Sequence, residues 1–203
     1  NYTANSTLAA VDAYVVASGV ATLTSAQANG TTISGAGGLT VTGLAADANL
    51  DSVSATGTVT ANVAASLDYS SNANLAAVDT FVIADSKTAS FSAAQGAKTI
   101  TLGSGSVAKV IVASENISGT SLSASVTAID VSDNKTAILS IAQAQLAVTL
   151  GSSAVAKMSV SATTDVSSST FDSDVSEFVV SAGILTVTSA QANNQTISGA
   201  GGV

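Results

Sequence analysis

Four glutamines constrain this chain more than any other feature. Gln27, Gln95, Gln143 and Gln191 each close a similar phrase, at separations of 68, 48 and 48. Other landmarks keep the step of 48: Asp85 with Asp133, Lys87 with Lys135, and Val107-Ala-Lys109 with Val155-Ala-Lys157. Several independent positions share one spacing, so the chain repeats, and periods of about 20–50 residues build solenoids, propellers or arrays. The first interval exceeds the others by about 20 residues, the length of one short structural repeat, and the excess is carried by residues 50–67. Val107, Val126 and Val155 start similar runs at unequal intervals, 19 and then 29. Each unit therefore reads as about two rungs of unequal length, and the insertion as one further rung.

The repeats occupy residues 1–203 as a single continuous array, with units ending near Gln27, Gln95, Gln143 and Gln191. Residues 1–17 match 68–84, and 189–203 nearly copy 25–39, so both chain ends fall inside a unit. A free-standing solenoid carries atypical polar capping repeats. The expectation here is a fragment of a longer array.

Local patterns alternate with period two, as in Leu39-Thr-Val-Thr42, Thr99-Ile-Thr-Leu102 and Ile184-Leu-Thr-Val-Thr188. Branched Val, Ile and Thr pack well on a pleated surface and favour strands. The motif SGAGG at 34–38 and 198–202 supplies tight corners. Residues 141–148 contain Ala, Gln and Leu and predict a turn or two of helix; the counterparts hold Asn-Gly or Asn-Asn, where helix is not expected. A β-sandwich needs large side chains across a gap of about 10 Å. Seven aromatics and one Met do not supply them. The fold class is all-β: a parallel β-solenoid (β-helix) of ~48-residue units with about two rungs each, one unit carrying an extra ~20-residue rung. Tyr14, Phe81, Ile129 and Phe178 share one aligned position and predict an internal stack.

The chain has no Cys, Pro, His, Trp or Arg, and five Lys stand against eleven Asp and two Glu for a net charge of −8. Disulfides, Cys/His metal sites and His-based triads are excluded. An acidic chain without Arg is no partner for nucleic acid. No apolar run approaches the roughly 18 residues of a membrane span, so membrane insertion is not expected.

Two small carboxylate groups remain, Asp130 with Asp133 and Asn134, and Asp172 with Asp174 and Glu177. Calcium is the metal that such oxygen ligands suit. Neither the EF-hand loop nor the G-G-x-G-x-D nonapeptide of calcium-binding β-rolls occurs. The simpler reading is turns in which Asp and Asn cap backbone groups. No cofactor is expected, with calcium at Asp130, Asp133, Asp172 and Asp174 as the alternative. Asp172 and Asp174 would be spaced for a glycosidase pair, but no Trp, His or Arg stands by to stack or orient a sugar, and no enzyme is expected.

The pairs Thr22-Leu-Thr24, Thr40-Val-Thr42, Thr58-Val-Thr60, Thr99-Ile-Thr101 and Thr186-Val-Thr188 each place two threonines on one strand face. They resemble the flat threonine arrays of ice-binding solenoids. That function needs one face on consecutive rungs, and the motif alternates with other pairs, so ordinary strand surface is expected. Asn1, Asn5, Asn29, Asn116, Asn134 and Asn194 begin Asn-x-Ser/Thr sequons, which a chain this rich in Asn, Ser and Thr produces by chance.

The recurring phrase Leu-Thr-Val-Thr-Ser-Ala-Gln-Ala, at 185–192, resembles repeats of very large bacterial surface proteins, the giant secreted adhesins and S-layer-like proteins. The resemblance covers essentially the whole chain. It implies secretion, a place on the cell surface, a stalk, filament or lattice that associates with itself, and in some members calcium. The lack of calcium-roll nonapeptides is the departure. The function expected is a structural, non-enzymatic segment that self-associates through stacked rungs. The alternative is an adhesin-type module recognising glycan, or ice, through one face.

Overall fold

In the computed structural model, which describes residues 1–4, 11–193 and 195–203, the protein is an all-β solenoid of about ten turns built from parallel sheets. The chain divides into two compact units, Asn1–Val110 with Leu122–Val126, and Ile111–Ser121 with Thr127–Val203.

The first unit contains β1 (Ala13–Val15), β2 (Val20–Thr24), β3 (Thr32–Gly35), β4 (Gly38–Thr42), β5 (Val53–Ala55), β6 (Val59–Val63), β7 (Leu67–Asp68), β8 (Thr80–Ile83), β9 (Thr88–Phe91), β10 (Thr99–Leu102) and the start of β11 (Val107–Val112). They pair as β1–β3–β5, as β2–β4–β6–β8–β10, and as β7–β9–β11. Most of the remaining strands belong to the second unit: β12 (Val126–Val131), β13 (Thr136–Leu139), β14 (Ala147–Leu150), β15 (Val155–Val160), β16 (Thr164–Asp165), β17 (Val175–Val180), β18 (Leu185–Thr186) and β19 (Thr196–Ser198). Here β12 pairs with β14, β16 with β18, and β13–β15–β17–β19 form a four-stranded sheet.

Register fixes the length of a turn. Val20 lies beside Gly38, Leu39 beside Val59, Thr60 beside Thr80, and Thr80 beside Thr99, so successive steps are 18, 20, 20 and 19. The second unit keeps the same measure, with Thr136 beside Val155 and Glu177 beside Thr196. The insertion in the first repeat forms one added turn, because β6 enters between β4 and β8. Near-uniform steps replace the unequal rungs that the spacings of Val107, Val126 and Val155 suggest.

One repeat therefore spans more than two turns and fewer than three. Successive repeats begin at different places in the turn. Ile129 pairs with Val148 in the β12–β14 sheet, whereas their repeat equivalents Phe178 and Ile197 pair in the sheet of β13, β15, β17 and β19. The aligned aromatic positions consequently form no single stack. Phe81 lies between Ala61 and Ile100, Phe178 between Met158 and Ile197, and Tyr14 beside Ile33. Phe81, Ile129 and Phe178 are each buried. Ring contacts run elsewhere: Tyr69 to Phe91 at 5.9 Å, Phe91 to Phe81 at 4.8 Å, and Phe171 to Phe178 at 5.7 Å.

Inward positions are filled by small and branched side chains. Leu23, Val41, Ala61, Phe81 and Ile100 follow one another up the five-stranded sheet, all buried. Ala61 leaves the space that Phe81 takes, and burying such a ring contributes about 2–3 kcal/mol. At the SGAGG corners Gly35 and Gly199 adopt φ of +109° and +110°. A Cβ at either would collide with a backbone carbonyl, that of Val16 or Val180.

Helix falls where it is not expected and is tighter where it is. One-turn helices α1 (Ser25–Ala28), α2 (Ala93–Gly96) and α3 (Ser189–Ala192) form at the counterparts, while Gln143–Gln145 makes only a 3-10 turn. A reciprocal cap, rather than helix propensity, places a tight turn at all four corners. Thr24, Ser92, Ser140 and Thr188 accept from the amides of Gln27, Gln95, Gln143 and Gln191, whose side chains in turn accept from the cap amides.

Candidate functional site

The four glutamines that mark the repeat also bind one turn to another. Each Oε1 closes its own corner, accepting from the amide of Thr24, Ser92, Ser140 or Thr188 at 2.8–2.9 Å. Each Nε2 donates to carbonyls of the preceding turn. Gln27 reaches Tyr2 at 3.1 Å, Gln95 reaches Asn72 at 2.7 Å, Gln143 reaches Ile117 and Thr120, and Gln191 reaches Val166 and Ser169. The receiving segment is itself a repeated turn. Asn1, Asp68, Asn116 and Asp165 accept through their side chains from the amides of Thr3, Ser70, Ser118 and Ser167. In three of the four the residue between is buried: Tyr69, Ile117 and Val166. The Ile117 and Val166 carbonyls also accept from the Thr120 and Ser169 amides, so the glutamine supplies a second bond there; the group it satisfies is its own side-chain amide, which left unpaired in a buried place costs about 1–3 kcal/mol.

Around the second lock the bonding is denser. The Tyr69 hydroxyl donates to the Leu44 carbonyl at 2.8 Å, and burial pushes its pKa up to about 12. Asn72 Nδ2 donates to the carbonyls of Ala46 and Ala48, both at 2.9 Å.

The carboxylates occupy turns and strand surfaces. Asp133 is exposed and accepts from the Ser152 amide at 2.7 Å, one turn on, as Asp85 accepts from Ser104. Asp172 accepts from the Asp174 amide at 3.0 Å in the turn before β17. Asp130 lies on β12, half-buried, and Asp133 in the turn that follows. Glu177 is on β17, bonded to Lys157 Nζ at 2.7 Å and to the Ser198 hydroxyl at 2.7 Å. The Lys157 bond, with that of Ser198, holds its carboxyl below the usual range. The bond from Ser167 does the same for Asp165. Among the described residues no three acidic side chains stand together as a metal-binding group.

Asn1 and Asn116 begin sequons, yet the Asn-x-Ser/Thr pattern there makes a backbone turn: Asn116 Oδ1 accepts from both the amide and the hydroxyl of Ser118, at 3.0 and 2.7 Å. The signal for the lock is thus Asn or Asp, any residue, then Ser or Thr, with a Gln following a little more than one turn later. Asn5 and Asn194 lie outside the described residues.

Threonines gather on one face of the first unit. Thr22, Thr40, Thr60, Thr80 and Thr99 stand in direct register across β2, β4, β6, β8 and β10. The next outward column is Thr24, Thr42, Asn62, Val82 and Thr101. Alternation scatters Thr-x-Thr along the chain, but the near-uniform turn length brings three of the pairs, with Thr60 and Thr80, onto consecutive rungs. Thr186-Val-Thr188 lies apart, in the second unit. A surface groove lined in part by Thr24, Asn29, Thr42 and Asp47 borders this face.

No family model, curated protein or solved structure matches the chain, and what distinguishes it is its repeated locks, its carboxylate turns and its threonine face.

Proposed function

We propose that the chain is a structural, non-enzymatic segment of an extracellular filament, stalk or surface layer, of the kind formed by repeat arrays in large bacterial surface proteins. The turn-to-turn lock carries this reading. The polar side chains that recur with the repeat, Gln27, Gln95, Gln143 and Gln191 with the turns they grip, are engaged in holding the solenoid together. Polar side chains engaged in joining turn to turn suit a scaffold, and length then follows from adding turns. Self-association through stacked rungs is tested by sedimentation velocity and electron microscopy across a concentration series. Filaments or lattices at higher concentration are expected. A 19.5 kDa monomer at every concentration overturns self-association.

One observation favours a second reading, an adhesin-type module that recognises its target, glycan or ice, through one solenoid face. A spacer has no need of an unbroken column of five threonines. Threonine makes up 25 of 203 residues, so composition alone does not place five in register.

A further inference from the structure

We infer that the face formed by β2, β4, β6, β8 and β10 binds an ordered lattice of water, the surface of an ice crystal; the inference rests on the reading of one solenoid face as a recognition surface.

The backbone makes the face a grid. Parallel rungs lie about 4.8 Å apart, and alternate residues along a strand are roughly 6.7 Å apart. At eight of ten grid points stands a threonine, the others being Asn62 and Val82. Every threonine offers one hydroxyl and one methyl, and its branched Cβ restricts χ1, so both groups recur at fixed positions. Two of the hydroxyls are also bonded within the protein, which fixes their orientation: Thr42 donates to the Leu23 carbonyl at 3.1 Å, and Thr24 accepts from the Gln27 amide at 3.2 Å. The equivalent outward column in the second unit reads Ile138, Lys157, Glu177, Thr196, and its register slips between Ala156 and Lys157. Uniform chemistry and unbroken register therefore distinguish this sheet from that one.

Chemistry selects the occupant. None of the ten side chains is charged, in a chain of net charge −8, which leaves nothing for an ionic partner. None is aromatic, so no platform exists for stacking a sugar ring. Five rungs by two columns cover roughly 300 Å², less than half of what each side of a stable protein interface buries. What remains is a neutral solid, periodic in two dimensions, that takes a hydroxyl at most of its contact points and tolerates methyls between them. Crystalline water meets those terms. A hydroxyl takes the place of a lattice oxygen, and the methyls lie over the open cages between.

The test uses the full chain in nanolitre osmometry, reading the gap between melting and growth of an ice crystal together with crystal shape. The wild-type chain is expected to facet the crystal and open a gap. Thr60→Lys, at the centre of the grid, is expected to lose most of it, while Thr136→Lys on the second unit's sheet leaves it unchanged; circular dichroism checks that both remain folded. Round, freely growing crystals with the wild-type chain overturn the inference. Co-sedimentation with insoluble cellulose and chitin is measured in parallel. Binding there that Thr60→Lys abolishes, without any effect on ice, overturns ice as the occupant and leaves the recognition reading standing. No effect on ice and no polysaccharide binding overturns both.

Discussion

Gln143 Nε2 donates to the carbonyl of Ile117, on the preceding turn, at 2.9 Å. The same nitrogen meets Thr120 O at 2.8 Å, and Oε1 accepts from the Ser140 amide, with only 4% of the residue exposed. Gln143→Ala strands the Thr120 carbonyl and the Ser140 amide, each worth about 1 kcal/mol or more when buried, and takes one of two bonds from the Ile117 carbonyl, which keeps that of the Thr120 amide. The expected loss in urea unfolding is about 2–4 kcal/mol. Gln191 makes equivalent bonds to Val166 and Ser169 but is only half-buried. Water replaces part of what Gln191→Ala removes, so its loss is expected near ~1 kcal/mol. Equal losses for the two variants count against burial as the source of the lock's strength.

Gly151 packs against the corner at Asp133. A Cβ there would collide with the Asp133 carboxylate and stand 2.6 Å from its amide nitrogen. Gly151→Ala therefore has to displace the oxygen that caps Ser152, and a loss of about 1–3 kcal/mol is expected. Gly119 has nothing within 4 Å of the same position. Gly119→Ala is expected to be neutral or to stabilise by up to about 1 kcal/mol, through the unfolded chain. Thermal unfolding of the pair separates steric contact from the general cost of replacing glycine.

The solenoid is legible in the sequence because its two clearest signals are local: period-two strands and a spacing repeated at Gln, Asp, Lys and Val. What joins the turns is not. Asn116 and Gln143 lie on successive turns, and nothing in either motif announces contact; Asn116-Ile-Ser118 reads first as a sequon. Nor is the threonine column visible along the chain, since Thr22, Thr40, Thr60, Thr80 and Thr99 become neighbours only once the turn length is known. The repeat itself misleads here. Its period invites division into two coils, whereas the hydrogen-bond register divides it into two turns and a remainder, which moves Phe178 to a different sheet from Ile129. The tight turn at Ser25–Ala28 stays hidden when propensity alone is weighed, because its signal is the reciprocal cap of Thr24 and Gln27, which Ser140 and Gln143 share.

Lys157 and Glu177 face each other across neighbouring strands at 2.7 Å, both partly exposed. With its folded pKa depressed by Lys157 and Ser198, Glu177 adds stability above its unfolded pKa near 4.5, and that stability is lost as pH falls through the folded value. Solvent screening limits the contribution to less than about 1 kcal/mol. Glu177→Gln is expected to flatten this part of the acid limb in unfolding measured from neutral pH downward, and added salt to shrink the difference between the two proteins. An acid limb unchanged by the substitution counts against the pair.

Tyr69 sets the opposite limb. Its phenol is buried, donates to Leu44 O at 2.8 Å, and has its pKa pushed up to about 12 from an ordinary value of 10.0. Below pH 10 the phenol is neutral in both folded and unfolded chains, and stability does not depend on it. Between pH 10 and 12 the unfolded chain loses the proton first, so the unfolded state binds fewer protons and stability falls as pH rises, by at most about 1.4 kcal/mol per pH unit. Tyr69→Phe keeps the ring against Phe91 and removes the titration. It also orphans the Leu44 carbonyl, which costs about 1 kcal/mol at neutral pH. The variant is thus expected to begin less stable and to decline less steeply above pH 10, so that the two curves converge. Every other ionisable group is common to both proteins and cancels in the comparison. Denaturant unfolding at half-unit steps of pH measures this, and curves that run parallel from neutral pH to 12 rule out a buried, protonated Tyr69 as the cause of alkaline loss.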